Sequence, residues 1–397
     1  MSPTSLTRAD LMPPPVVKTI GQRSLIIGAV FSVIVIVGAI FQPDQFFHAY
    51  LVSFMDWLGI ALGSMAIVML RHLTKGGWGM VIRRILGAAM RTMPLMALLF
   101  IPLVIGMHRL YPWTADEATL KARHLDGIAH DYLNPTGFIL RAIIYFAIWL
   151  GISYLLTKWS KEQDTPPVRK SDHFKKVSAP GLILYAFTLS FAAIDWVMSI
   201  DAKWISTIYG LLFLAGQGLA AVCFAVVIEK ILAKRPPMNE LLKPDFVQDH
   251  GKLMLTFIML WAYFSFSQLL ITWAGDLPEE ISFYTRRLYN GWEYVGLFLV
   301  VFHFAVPFTF LLSRPFKRNV HRLAWLAVWL LCMRYVDLFW LVEPSFSKSF
   351  TVTWFDLAVP FAMGGFWLAF FCRNLNSLPL VPAYDVFAGE VLEPVHE

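Results

Sequence analysis

The sequence predicts an all-α membrane protein that crosses a lipid bilayer ten times. Of its 397 residues, 57% are hydrophobic and only 15% are charged, whereas about a quarter of the residues in a soluble domain are charged. The mean hydropathy is +0.60. The chain also contains repeated apolar runs of about 20 residues, which is the length that a helix needs to cross the hydrocarbon core.

Ten such runs can be followed along the chain. Four contain no charged residue: 24–43, 177–194, 204–228 and 253–275. Six more qualify once internal charges are allowed: 48–70, 87–107, 137–157, 288–313, 321–342 and 351–372. The first run is too long for a signal peptide and no small-residue cleavage site follows it, so we expect it to remain as a helix.

The distribution of Lys and Arg predicts the orientation. The N-terminal tail, the even-numbered connections and the C-terminal tail hold 22 of these residues, and the odd-numbered connections hold 7. The positive-inside rule therefore places both termini in the cytoplasm. We expect a cytoplasmic N-terminal tail over 1–23, a transmembrane domain over 24–372 and a cytoplasmic C-terminal tail over 373–397.

The net charge of +6 follows from this orientation, and no basic recognition motif points to nucleic acid. Cys223, Cys332 and Cys372 all lie inside predicted spans, and no CxxC or CxxCH occurs. His303 is the one histidine near a predicted midplane, while a transmembrane b-haem needs paired axial ligands. The sequence therefore predicts no haem, no iron–sulfur cluster and no other metal in this chain.

Charged residues inside apolar runs indicate where function resides. With the predicted orientation, six of them fall in the outer half of the membrane: Asp56, Asp195, Glu293, Arg334, Asp337 and Asp356. Each costs roughly 2.5–3.5 kcal/mol at a helix centre and usually faces a cavity or a partner. Together with Asp201, they predict an outer acidic vestibule that could accept protons.

Five residues of this set also have a purely structural interpretation. Arg334 and Asp337 are three residues apart on one helix and could neutralise each other. Asp201 could end the fifth helix, and Glu293 and Asp356 could lie in first helical turns, where the helix dipole favours a carboxylate.

The remaining polar candidates lie elsewhere in the spans. His303 could relay a proton or contact a quinone, and Gln268 could bond a quinone carbonyl or another helix. His250 and Lys252 could begin a proton path from the cytoplasm, although a lysine there commonly snorkels to the membrane surface.

Two sequence blocks resemble a known family, the NrfD-type, polysulfide-reductase-like membrane subunits of bacterial alternative complex III, a quinol:cytochrome c oxidoreductase. The blocks are AIDWVMSIDAKWISTIYG at 193–210 and DHGKLMLTFIMLWAYFSFSQLLITWAGDLPEE at 249–280. The similarity covers most of the chain and is greatest to the second such subunit, the quinone-binding subunit 2 type.

This resemblance implies two four-helix bundles, helices 2 to 5 and 6 to 9, plus two peripheral helices. It implies quinol as ligand, a bacterial inner membrane, and partners that carry the redox groups: multihaem and monohaem cytochromes c, an iron–sulfur subunit and a sister membrane subunit. The chain would then bind quinol, conduct protons, or both. Two other classes remain open: a proton-coupled secondary transporter and a structural scaffold of the complex.

Overall fold

The computed structural model describes residues 11–74, 76–122, 124–125, 132–165, 172–382 and 384–385. Within these ranges ten helices are long and apolar enough to cross a membrane, and no β-strand occurs. The predicted all-α, ten-span fold is therefore confirmed. The spans are α1 (Val16–Phe41), α2 (Pro43–Thr74), α3 (Gly77–Ile105), α4 (Pro135–Glu162), α5 (Asp172–Ile200), α6 (Tyr209–Leu232), α7 (Pro244–Gly275), α8 (Trp292–Leu312), α9 (Val320–Ser345) and α10 (Phe355–Leu375).

Several helices extend beyond the apolar runs that predict them. α7 begins at Pro244, nine residues before its run, and α3 begins at Gly77, ten residues before its run. The added turns contain charged residues, such as Arg83 and Arg84 in α3 and Asp245 and Asp249 in α7, and these residues end the apolar runs without ending the helices. α1 begins at Val16, so residues 16–23 of the predicted N-terminal tail are helical. Residues 1–10 and 386–397 of the two predicted tails lie outside the described ranges.

Two prolines divide α3 into three consecutive pieces. The pieces are Gly77–Met90, Met93–Leu99 and Ile101–Ile105, and Pro94 and Pro102 each stand at the start of a new piece. Proline has no backbone N–H to donate and clashes with the carbonyl of the preceding turn, so the helix is interrupted at these points. In the described part of the long connection that follows, the helices up to Ala122 are all short.

The spans pack as two four-helix bundles with a peripheral pair. α2 packs against α3 and α5, α4 completes this bundle, and α6 to α9 form the second one. α1 packs chiefly against α10, and this pair covers α2 from outside. Glycines bring the helices close together: a Cβ on Gly365 would lie 2.4 Å from the Cα atom of Gly28. Small residues are the usual means of close helix approach in membranes.

The two bundles meet where α2 touches α6. A Cβ added to Gly63 would lie 2.0 Å from the backbone oxygen of Gln217, which is closer than real Cβ contacts allow. Most residues of α2 and α6 are buried by other helices. Since lipid is as apolar as the side chains it replaces, close backbone packing of this kind stabilises the association of the bundles.

The segment after α10 returns to the inner end of the first bundle. The Nη1 atom of Arg83 lies 2.5 Å from Oδ2 of Asp385, and its Nη2 atom lies 2.5 Å from Oε1 of Gln163. Gln163 in turn donates to Asp385 at 2.9 Å. All three side chains are buried, so the carboxylate compensates a cation that burial alone would destabilise.

Substitution of Gly63 by Val should weaken the contact between the bundles. The side chain would overlap the α6 backbone, and overpacking of this kind costs about 1–3 kcal/mol or more. Gly151→Val is the matched control, because a Cβ at Gly151 meets nothing within 4 Å. Thermal unfolding of the detergent-solubilised protein should show a clear loss of stability for Gly63→Val alone. Equal stability of the two variants would contradict this packing.

Candidate functional site

Asp195 is buried in an ion pair that the sequence analysis did not foresee. Its Oδ2 atom accepts from Nε of Arg141 at 2.8 Å, and its Oδ1 atom accepts from Nη2 at 3.0 Å. The hydroxyl of Tyr145 also donates to Oδ2 at 2.8 Å. The carboxylate is fully buried and is paired in the bidentate geometry that is strongest for Arg and carboxylate groups.

Aromatic side chains surround this pair. The guanidinium of Arg141 lies 4.0 Å from the ring centroid of Tyr132, a cation–π contact. Trp196, next to Asp195, packs against Trp149 and Phe146. Arg141 lies inside the apolar run 137–157, where a charged residue signals a need for a partner without saying which residue the partner is.

Asp201 lies outside the bundle, in the connection between α5 and α6. Its Oδ2 atom is 3.1 Å from Nη1 of Arg286. Its backbone oxygen accepts from the N–H of Trp204 at 3.0 Å and closes a turn. The structural interpretation of Asp201 as the end of a helical segment therefore fits its position.

Arg287, the neighbour of Arg286, is buried and holds the outer end of α9. It donates to the backbone oxygens of Trp340 and Leu341 at 3.1 Å and 2.6 Å. Desolvation lowers the pKa of Arg287 to about 10, so the side chain stays charged at neutral pH. A cation at this point also satisfies carbonyl groups that the end of a helix leaves unpaired.

Glu293 and Asp356 make local contacts in first helical turns. Oε2 of Glu293 accepts from the backbone N–H of Gly291 at 2.9 Å, and Gly291 has a positive φ of 96° that favours glycine. Oδ2 of Asp356 accepts from the backbone N–H and the hydroxyl of Thr353 at 2.7 Å and 2.9 Å. Both arrangements match the capping interpretation.

Arg334 and Asp337 form the buried ion pair that their spacing predicts. Oδ2 of Asp337 also accepts from Nε1 of Trp261 on α7 at 3.1 Å. Arg334 occupies space that Gly216 leaves open on α6, because a Cβ there would lie 2.3 Å from Cζ. The pair therefore lies inside the second bundle between α6, α7 and α9.

His303 lies beside this pair and is fully buried. Its ring centroid is 4.3 Å from that of Trp261, and Asp337 and Arg334 are within electrostatic range of it. Neither ring nitrogen makes a hydrogen bond of normal geometry with the described residues. His303 also lies in a π-helical segment, Val300–Ala305, and such segments occur frequently at functional sites.

Asp56 on α2 completes what we call the central polar cluster: Asp56, Trp261, His303, Arg334 and Asp337. Its side chain is half-buried, and Arg334 is its charged neighbour of opposite sign. Tyr335, on the same helix as Arg334 and Asp337, connects α9 to α10, because its hydroxyl donates to the backbone oxygen of Asp356 at 2.7 Å. The structure thus gathers part of the predicted vestibule around α9, while Asp195, Asp201 and Glu293 have partners elsewhere.

A second buried titratable pair lies near the C-terminal end of α6 and the N-terminal end of α7. Nδ1 of His250 is 3.1 Å from Oε2 of Glu229, and Nε2 is 2.9 Å from the backbone oxygen of Trp78. Both side chains of the ion pair are fully buried. Glu229 was missed in the sequence because it directly follows an uncharged run and precedes a lysine. Lys252 is instead exposed and pairs with Asp249 at 2.7 Å, as a snorkelling lysine does.

Gln268 joins α7 to the connection before α6. Its Oε1 atom accepts from the hydroxyl of Ser206 at 3.4 Å, which is a weak bond in length. The side chain is buried. The structure thus places Gln268 in a contact between segments, and its bond to a quinone carbonyl stays a prediction.

The described residues contain no group of three or more His, Cys, Asp or Glu side chains that could hold a metal ion. Cys223 and Cys372 are buried and Cys332 is exposed, all three as free thiols. The sequence-based expectation about haem, iron–sulfur clusters and metals stays a prediction.

Comparison with known proteins adds no identification. No protein-family model matches the chain, and no curated protein matches it. The membrane class of the protein therefore rests on the ten apolar helices, and the assignment of its function rests on the residues described above.

A double-mutant cycle tests the Arg141–Asp195 pair. Removal of either partner leaves an uncompensated buried charge, so Arg141→Ala and Asp195→Ala should each lose about 3–5 kcal/mol of unfolding free energy. The double variant should lose much less than the sum of the two.

The exposed pair of Lys121 and Glu117, 2.7 Å apart, provides the control cycle, where we expect a coupling of about 0–1 kcal/mol. Additive losses at Arg141 and Asp195 in chemical unfolding would show that the two side chains are not coupled.

Proposed function

We propose that this chain is a proton-conducting membrane subunit of a quinol:cytochrome c oxidoreductase of the alternative complex III type. The class of complex is proposed because the two motif blocks resemble that family. The observation that carries the proton role is the central polar cluster, in which a fully buried histidine without normal hydrogen bonds lies beside a buried Arg–Asp pair. Buried ionisable groups in membrane proteins mark ion or proton pathways.

The cluster has the chemistry that proton transfer requires. A neutral imidazole has one nitrogen that accepts a proton and one that donates it, and neither nitrogen of His303 makes a hydrogen bond of normal geometry with the described residues, although the backbone of Met333 lies near the ring. Asp337 and Arg334 both lie within electrostatic range of His303, so the ion pair as a whole acts on the imidazole. Asp56, half-buried on α2, supplies a further carboxylate within electrostatic range of Arg334.

The pair of Glu229 and His250 gives this path an inner end. α6 carries Glu229 and also Gly216, which lies against Arg334. At about 1.5 Å of rise per residue, these positions are about 20 Å apart along the helix. The hydroxyl of Tyr185, which donates to Gln217 at 3.0 Å, adds a polar group near the outer end of this interval. Water or side-chain movement would connect the two clusters.

The packing favours proton transfer over quinol binding at the central polar cluster. A quinone ring needs a flat slot beside its hydrogen-bonding partners, and the ring of Trp261 already occupies that position against His303. We therefore place quinol oxidation beside the partner subunits that carry the redox groups. This chain would move protons in response, and its residues take part in no redox step.

A scaffold role is the second candidate, and a specific observation favours it. Asp195, Asp201, Glu293 and Asp356 all have structural partners in the fold. If the central polar cluster is equally structural, substitutions in it will change assembly of the complex and leave the activity of assembled complex unchanged.

Glu229→Gln and Asp337→Asn test the proton role in the complete complex reconstituted in lipid vesicles. Each change removes a titratable group of nearly the same shape from the proposed path. We expect the number of protons released outside the vesicle per oxidised quinol to fall. It should approach the number that the oxidation of quinol itself releases. The measurement combines a pH-sensitive dye with the reduction of cytochrome c.

Lys252→Gln is the control for these variants, because Lys252 is exposed and lies outside the buried pair. This variant should release as many protons per oxidised quinol as the unsubstituted complex does. Unchanged numbers of protons per oxidised quinol in Glu229→Gln and Asp337→Asn, measured in complexes of normal composition, would reject proton conduction and favour the scaffold.

A further inference from the structure

A groove of about 540 Å³ lies on the face that the Lys and Arg asymmetry assigns to the outside. Connections from both bundles line it, so it lies over the junction between them. The side chains that line it include one histidine and four charged groups: His108, Arg109, Asp201, Lys203 and Arg286. Its volume lies in the range of sites that bind ligands.

The groove concentrates positive charge on a face where such charge is scarce. Arg109, Lys203 and Arg286 are three of the 7 Lys and Arg residues in the odd-numbered connections. The side chains of Arg109 and Arg286 are 47% and 43% exposed. Lys203 is exposed and forms no ion pair with the described residues. Charge gathered in a cleft attracts ligands of opposite sign.

The existing ion pairs in the groove leave its cations open to a new ligand. Arg109 pairs with Asp44 at 2.5 Å, and both side chains are largely exposed. Exposed pairs of this kind contribute only about 0–1 kcal/mol. An incoming carboxylate can therefore replace Asp44 as the partner of Arg109 at small cost.

Apolar side chains form the floor of the groove. Tyr111 and Ile200 are buried beneath the charged rim, and Phe346 stacks on His48 with ring centroids 3.8 Å apart. An occupant of the groove would thus enter from the aqueous side.

We propose that this groove docks an acidic segment, rich in Asp and Glu, of an extramembrane protein partner on the outer face. The inference rests on the proposed function in one respect: the redox partner that accepts electrons from quinol would be that protein. Charge pairs at an exposed rim accelerate and orient association more than they tighten it. The contact should therefore weaken as salt shortens the range of the attraction.

Site-specific photocrosslinking in the assembled complex tests the occupant. A photoreactive amino acid replaces Lys203 in the groove or Lys348, which is exposed on the same face and does not line the groove. Mass spectrometry identifies the attached peptide. We expect an acidic segment of an extramembrane protein from position 203 and not from position 348. Attachment of lipid only, of a peptide without acidic residues, or of nothing at position 203 would overturn the proposal.

Charge reversal supplies the quantitative test and its control. Arg109→Glu combined with Lys203→Glu should lower the amount of the crosslinked protein that co-purifies with the chain by roughly tenfold, because like charges across an interface are strongly unfavourable. Lys348→Glu should not lower it. Equal losses from the two reversals would contradict a specific groove.

The identity of the attached protein separates the two proposals. An acidic segment from a protein that carries haem or an iron–sulfur cluster supports both the groove and the proposed function. An acidic segment from a protein without redox groups supports the groove and contradicts the proposed function. A redox protein attached through a segment without acidic residues contradicts the groove alone.

Discussion

The close approach of α2 and α6 is the constraint on which the rest of the structure depends. Gly63 lets the α2 backbone lie against Gln217 of α6, and α2 also contacts α3, α5, α9 and α10. In their most apolar stretches, α2 is 89% buried and α6 is 83% buried, more than any other span. Every other helix packs on this central pair or on a neighbour of it, so the two bundles form one body around it.

The same junction provides room for charge in the membrane interior. Gly216, beside Gln217, leaves the space that the guanidinium of Arg334 occupies. Arg334 is neutralised by Asp337, which also accepts from Trp261. A buried pair of this kind is weak evidence for stability, because desolvation offsets most of the attraction. Unlike Arg334 and Asp337, His303 makes no hydrogen bond of normal geometry with the described residues. The proton proposal depends on it for this reason.

Hydropathy predicts the ten spans because bilayer thickness fixes the length of an apolar helix. The spacing of Arg334 and Asp337 predicts their pair, because residues three apart share a helix face. Partners on different helices were not predictable from one sequence: Arg141 and Asp195, or Glu229 and His250, lie far apart along the chain. The π-helical segment around His303 leaves no sequence signal that we can identify. The orientation and the complex type remain predictions.

The most direct test of the account is purification of the tagged chain in mild detergent, followed by haem spectra and analysis of extracted quinone. The account predicts that c-type haem, an iron–sulfur protein and a second multi-pass membrane subunit accompany the chain. A chain recovered alone, colourless and without quinone would contradict its assignment to a quinol-oxidising complex and would make a secondary transporter the better description.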